Sequence, residues 1–156
     1  MASHLQGSWL QAIRLYMGLT TVLHFVWELL QLPLYTIWYT GNFREIAFSV
    51  LHCSAGDFLI ASSSLVVSLI VIGTRAWPSG RFFHVMTATL VIGIGYTVYS
   101  EWANTILRQT WAYSELMPTV PVLGTGLSPL TQWLIVPVVG FVAVWCRYKR
   151  PNATSS

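Results

Sequence analysis

Ionisable side chains recur inside strongly apolar stretches of this sequence. HFVWELLQ (24–31) places His24 and Glu28 four residues apart, and HCSAGD (52–57) places His52 and Asp57 five residues apart. On a helix, residues i and i+4 lie on one face, so His24 and Glu28 project in the same direction. Ionisable groups at membrane depth are costly and usually functional. These two stretches are therefore the first candidates for a site.

Metal binding is one chemistry that these residue types support. Imidazole and carboxylate groups suit zinc, iron or manganese, and Cys53 would be a further ligand. However, the sequence contains no HExxH or Glu-x-x-His motif. Haem is less favoured, because its two axial ligands should lie at one depth, whereas His24 and His52 differ by about one turn. A divalent metal ion therefore stays an open alternative. Its candidate ligands are His24, Glu28, His52, Asp57 and Glu101.

Proton transfer is the other chemistry open to the same five residues. A histidine beside a carboxylate, partly removed from water, is suited to general acid–base catalysis or to a proton relay. Cys53 follows His52 directly, but adjacent residues on a helix do not face each other. We therefore interpret Cys53 as a packing residue and name no catalytic residue.

The composition indicates where this chemistry takes place. The chain is 54% hydrophobic and only 8% charged, whereas soluble domains carry roughly 25% charged residues. So few charges cannot cover a soluble fold of this size. The basic residues form no patch interleaved with aromatics, which argues against nucleic-acid binding. The sequence predicts an integral membrane protein with the lipid bilayer as its partner.

Four segments are long and apolar enough to span a bilayer as helices, which takes about 20 residues each. We predict an all-α fold, with residues 1–150 forming one four-helix transmembrane domain and residues 151–156 a disordered tail. The predicted spans are residues 10–35, 46–73, 83–107 and 129–145.

Basic residues and aromatic residues both predict the orientation of these spans. Six of the eight basic residues fall on the side that holds both termini, so the positive-inside rule places the termini in the cytoplasm. The aromatic residues assigned to the outer boundary are Trp38, Tyr39, Trp102, Trp111 and Trp133.

Antiparallel packing of the first two spans predicts which ionisable residues meet. In such a pair, residues at equal depth have a constant sum of residue numbers, and His24 with Asp57 gives 81 while Glu28 with His52 gives 80. We therefore expect two His–carboxylate pairs, His24–Asp57 and Glu28–His52, at successive depths.

The third span and the segment after it complete the predicted site. The third span brings Glu101 to the outer half of the membrane. The stretch QTWAYSELMPTVPVLGTGLSPLTQW (109–133) is rich in proline and glycine, which forbids one long helix. Long apolar loops in compact domains are often lids or binding loops, so we expect residues 109–131 to cap the outer mouth. The predicted lining and lid residues are Tyr96, Tyr99, Trp111 and Tyr113, with Met117 as an anchor.

The segment YSEWANTILRQTWAYSELMPTVPVLGTGLSPLTQW (99–133) carries a specific pattern, YSEWxN followed by WAYSxxMP and GxGLSPLxQW. With HFVWELLQ and HCSAGD, it resembles a family of small uncharacterised bacterial integral membrane proteins. The resemblance covers most of the chain. It implies a bacterial inner-membrane location and implies no activity.

Two functions of different classes follow. The first is an outward-facing intramembrane site that binds a small ligand or metal ion, or handles protons, in transport or membrane-embedded catalysis. The second is a non-catalytic accessory or assembly subunit whose polar cluster only fixes helix packing. The sequence does not decide whether the protein is an enzyme, and it does not define the oligomeric state.

Overall fold

The computed structural model describes residues 2–148, with side chains from Trp9 onward. Helix α1 spans Ala2–Gln31 and leads into a 3₁₀ turn at Leu32–Leu34 and the short helix α2 at Ile37–Thr40. The other elements are α3 (Phe43–Val71), α4 (Phe82–Trp102) with a π-helical turn at Ala103–Leu107, and α5 (Leu127–Tyr148). The predicted tail at residues 151–156 lies outside the described residues.

Four of these helical segments are long and apolar enough to cross a membrane: Trp9–Leu34, Phe43–Val71, Phe82–Leu107 and Leu127–Tyr148. They match the four predicted spans within about three residues at each end. The prediction of an all-α, multi-pass membrane fold is therefore confirmed. The helices form a bundle in which α1 and α4 each pack against both α3 and α5.

Local sequence signals explain where the first span ends and where the second span begins. Pro33 follows α1, where a proline lacks the amide hydrogen needed to continue the helix, and the chain turns. Asn42 then caps α3: its side chain accepts hydrogen bonds from the backbone amides of Arg44 and Glu45, while the Glu45 carboxylate accepts from the Asn42 amide. This reciprocal capping box fixes the start of the second span.

The end of the bundle opposite the long loop is tightly packed. Tyr16 of α1 and Phe141 of α5 are fully buried, with ring centroids 4.6 Å apart. Gly140 permits this approach, because a Cβ atom there would lie 2.7 Å from Thr20 Cγ2 and 2.9 Å from the Tyr16 ring. Small residues at such contacts let transmembrane helices pack closely.

Helix α3 is packed along only half of its length. Its buried residues are Val50 near one end and then Asp57, Ala61, Ser64, Leu65 and Ser68 toward the other. Between Val50 and Asp57, α3 contributes no residue to the buried core. This half lies at the end of the bundle that carries the long loop, and it leaves space between α3 and α4.

The long loop (residues 108–126) folds back over this end of the bundle. The Thr36 amide donates to the Ala112 carbonyl, and the Ser114 amide and hydroxyl donate to the carbonyls of Leu34 and Pro33. Met117, the predicted anchor, is buried. The predicted cap is therefore present, although α5 begins at Leu127 and the loop is shorter than the predicted 109–131.

Candidate functional site

Gln132, on the second turn of α5, is the centre of the polar cluster. Its side-chain nitrogen lies 2.9 Å from His24 Nδ1, 2.9 Å from Asp57 Oδ2 and 3.2 Å from Glu28 Oε1. Because an amide nitrogen carries two hydrogens, it cannot donate fully to all three groups at once. Gln132 thus connects α5 to both α1 and α3 at one point in the bundle.

His24 and Asp57 form the pair that the sequence predicted. His24 Nδ1 lies 3.4 Å from Asp57 Oδ2, and His24 is only 1% exposed. The other Asp57 oxygen, Oδ1, accepts a hydrogen bond of 3.2 Å from the Trp133 indole. Both oxygens of Asp57 are therefore engaged by protein groups, and this half of the cluster holds α1, α3 and α5 together.

The predicted Glu28–His52 pair is wrong. Glu28 Oε1 instead accepts a 2.7 Å hydrogen bond from Gln31, while the His52 side chain is exposed and stacks on Phe48 with centroids 5.7 Å apart. The physical reason is rotation about the helix axis. At about 100° per residue, His52 lies about 140° around α3 from Asp57. When Asp57 faces α1, His52 faces elsewhere although its depth is right.

Glu28 lies beside Asp57 as well as beside two amide side chains. Its Oε1 accepts hydrogen bonds from Gln31 and Gln132, and its carboxyl group also shares a hydrogen bond with that of Asp57. Glu28 is only 9% exposed and lines the cavity described below. Two acidic groups therefore adjoin each other at the inner wall of this cavity.

Glu101 of α4 stands on the other side of the cavity and is 7% exposed. The Tyr113 hydroxyl from the long loop donates to Glu101 Oε2, and the Gly126 amide donates to the same hydroxyl at 2.9 Å. The Trp111 indole lies beside the Glu101 carboxyl group. Tyr113 and Trp111 therefore cover the carboxyl group from the loop, as the sequence predicted.

Tyr113 remains a neutral donor at ordinary pH. Burial raises the pKa of its phenol, and the hydrogen bond to Glu101 and the charge of that carboxylate raise the pKa further. The amide of Gly126 lowers it, but by less. The contact between the long loop and Glu101 is therefore maintained across the physiological range.

A cavity of about 770 Å³ separates these groups. It lies between the loop-side halves of α1, α3, α4 and α5, where α3 is not packed. Its wall combines three carboxyl groups with aromatic rings and with side chains at the exposed edge of the bundle. The wall includes Glu28, Tyr35, Phe48, His52, Cys53, Asp57, Leu59, Tyr96, Glu101, Arg108, Trp111 and Trp133.

Not every predicted site residue reaches this cavity. His24 lies behind it and does not line it, and Tyr99 projects away, packing edge-on against Tyr96 at 6.2 Å. Among the described residues, no group of three or more histidine, cysteine, aspartate or glutamate side chains is arranged to hold a metal ion. The five predicted ligands therefore do not converge, since His52 and Glu101 lie apart from the His24 cluster.

Sequence reasoning missed Gln132 and misplaced Trp133. Trp133 was assigned to the outer membrane boundary, but it is 1% exposed and packs against Gly93, where a Cβ would lie 2.5 Å from its ring. The signal for Gln132 was present: a carboxamide within an apolar span needs a partner just as a charged group does.

No family model, curated protein or solved structure matches the chain. The interpretation of the site therefore depends on its geometry.

Proposed function

We propose that this protein binds a small ligand in the loop-side cavity, as a step in transport or membrane-embedded catalysis. The observation that carries the proposal is a cavity of about 770 Å³ whose wall includes three buried acidic side chains, those of Glu28, Asp57 and Glu101. That volume lies in the range of small-molecule sites, about 300–1,000 Å³.

The geometry favours binding and transport over catalysis by His24. A general acid or base must reach its substrate within hydrogen-bond distance or through one water molecule. His24 is almost fully buried and lies behind the cavity wall, with Asp57 and Gln132 as its partners. We assign His24 a positioning role, and Glu28 and Glu101 the ligand contacts.

We further propose that the loop side faces outward from a bacterial inner membrane, with both termini in the cytoplasm. The basic residues support this orientation. The resemblance of the 99–133 segment and of HFVWELLQ to small bacterial membrane proteins supports the location. The ligand would then enter from the outer side, under the long loop.

A second candidate function is a non-catalytic accessory subunit. The Gln132 contacts favour it, since one side chain joins three helices, and a cluster whose main effect is packing needs no ligand. The two proposals differ at the cavity and at the acidic side chains that line it. An accessory role does not require a cavity.

Thermal unfolding of the purified protein in detergent, with panels of cationic, anionic and neutral small molecules, tests ligand binding. We expect at least one class to raise the unfolding temperature, because a ligand that binds only the folded state stabilises it. The shift should be lost in Glu28→Gln and Glu101→Gln. It should persist in Glu115→Gln, which changes an exposed carboxylate of the long loop. An equal shift in all variants would contradict the assignment and favour the accessory role.

A further inference from the structure

The loop-side cavity also indicates the chemical class of its ligand. We infer that it accepts an organic ammonium cation with apolar substituents. This inference rests on the proposed ligand binding and specifies its substrate class. It follows from three features of the cavity: the charge of its inner wall, the aromatic rings around it and the exposed apolar side chains at its edge.

Buried acidic groups dominate the inner wall of the cavity. Glu28, Asp57 and Glu101 all line it, and each is less than 10% exposed. The carboxyl groups of Glu28 and Asp57 adjoin each other, so a cationic group beside them would stabilise their ionised forms. An anion in the same place would meet acidic groups, and none of the described residues of the wall is a buried cation that could offset its charge.

The basic groups that line the cavity are placed differently. Arg108 is exposed at the loop end, and His52 lies on the outer surface of α3, where it stacks on Phe48. At the loop end the charge of Arg108 is in contact with solvent and is screened, whereas buried charges interact strongly. The interior of the cavity is therefore selective for cations in spite of Arg108.

Aromatic rings surround the carboxyl groups. Tyr35, Trp111 and Trp133 line the cavity near the loop and α5, and the face of such a ring attracts a cation. Carboxylates combined with aromatic faces are the arrangement that suits organic ammonium groups, since a bare metal ion needs several converging ligands. The described residues offer no such ligand group.

The edge of the cavity between α3 and α4 is apolar and exposed. Phe48 and Leu59 of α3 and Tyr96 of α4 line the cavity and are 68%, 65% and 49% exposed. In a membrane span, such side chains face lipid. A ligand with its cationic group at Glu28 can therefore lay apolar substituents along this edge.

Cys53 provides a direct test, because it lines the cavity. The other cysteine, Cys146, is exposed on the last turn of α5 and is removed in a Cys146→Ser protein. Three thiosulfonate reagents then report on the cavity: a trimethylammonium-ethyl reagent, a sulfonate-ethyl reagent and the neutral methyl reagent. The same Cys53 thiolate attacks the sulfenyl sulfur of all three reagents, forming a mixed disulfide and releasing a sulfinate, so the ratios of their rates do not depend on the thiolate fraction.

We expect the cationic reagent to react with Cys53 faster than the anionic one by about tenfold or more, relative to the ratio for free 2-mercaptoethanol. The ratio of the cationic to the anionic rate should fall in Glu28→Gln and in Glu101→Gln. Each variant is measured separately, so that misfolding of one does not prevent the test. The ratio should be unchanged in Glu115→Gln.

A ratio equal to that of the free thiol, with the neutral reagent still reacting, would overturn the cation inference and leave the proposed cavity intact. If the neutral reagent also fails to react with Cys53 in the folded protein, even in alkaline buffer in which the thiolate forms, the cavity is closed to small molecules, and the proposed function falls as well.

Discussion

Replacing Gln132 tests whether one side chain holds three helices together. Gln132→Met keeps a similar length and volume but removes all three contacts, to His24, Glu28 and Asp57. His24, Glu28 and Asp57 then lose the donor that joins them across the bundle. Interhelical hydrogen bonds in membrane proteins average about 0.6 kcal/mol, with a maximum near 1.7. Because the two amide hydrogens form two full hydrogen bonds, the expected destabilisation is about 1–3 kcal/mol.

The assay is equilibrium unfolding in mixed micelles with increasing SDS, followed by circular dichroism. Thr131→Val is the matched control, because Thr131 precedes Gln132 and its hydroxyl bonds only to the Leu127 carbonyl of its own helix. We expect the control to change the free energy of unfolding by less than about 0.5 kcal/mol. A Gln132→Met protein as stable as this control would refute the claim that Gln132 joins the helices.

Three further predictions concern packing, pH and topology. Gly93→Ala should destabilise the fold by about 1–3 kcal/mol, because the new Cβ would lie 2.5 Å from the Trp133 ring. The control Gly95→Ala, whose Cβ would have no atom within 4 Å, should be neutral or slightly stabilising. Equal losses of unfolding free energy for the two variants in the same assay would contradict the contact between Gly93 and Trp133. Above pH 10.0, the ordinary phenol value, unfolded Tyr113 loses its proton while the raised pKa keeps the folded phenol neutral, so stability falls as pH rises. Tyr113→Phe should make that decline shallower in alkaline unfolding curves, and an unchanged slope would contradict the assignment. A reporter that is active only in the cytoplasm should be active when it is fused to the C-terminus. Activity of a reporter that works only outside the cytoplasm would reverse the proposed orientation.

The spans could be predicted from sequence because the bilayer imposes a simple length and polarity requirement. Hydropathy alone located all four, and the deviations at their ends have local causes such as the Asn42 capping box. The His24–Asp57 pair was also predictable, because depth along two antiparallel helices follows from residue number. Residue number along a span predicts the depth of a side chain but not its direction around the helix axis.

The Glu28–His52 pair failed because depth does not fix rotation about the helix axis. Asp57 faces the bundle centre, and a residue five positions away then cannot face it too. The same limit applies to Tyr99, which was expected to line the cavity. It is three residues from Tyr96 but lies off the face of α4 that lines the cavity. Rotation is set by packing against neighbouring helices, which only the assembled bundle shows.

Gln132 and Trp133 were missed for a different reason. Ionisable residues predict only part of the cluster, because the group that connects them is a neutral amide and the indole that donates to Asp57 has the sequence position of an interfacial aromatic. Gly93 on α4 provides the gap that admits the Trp133 ring. Every hydrogen-bonding side chain within an apolar span is a candidate member of such a cluster.

The most direct test of the account is equilibrium binding to the wild-type protein and to the Glu28→Gln/Glu101→Gln double variant. The ligand is the compound that most raises the unfolding temperature of the wild type, and the detergent is the same for both proteins. We predict one saturable site per chain in the wild type. Loss of two charge-assisted contacts, each worth about 1.5–3 kcal/mol, should weaken binding at least a hundredfold in the variant. Equal affinities for the two folded proteins would contradict the claim that these carboxyl groups bind a ligand in the cavity.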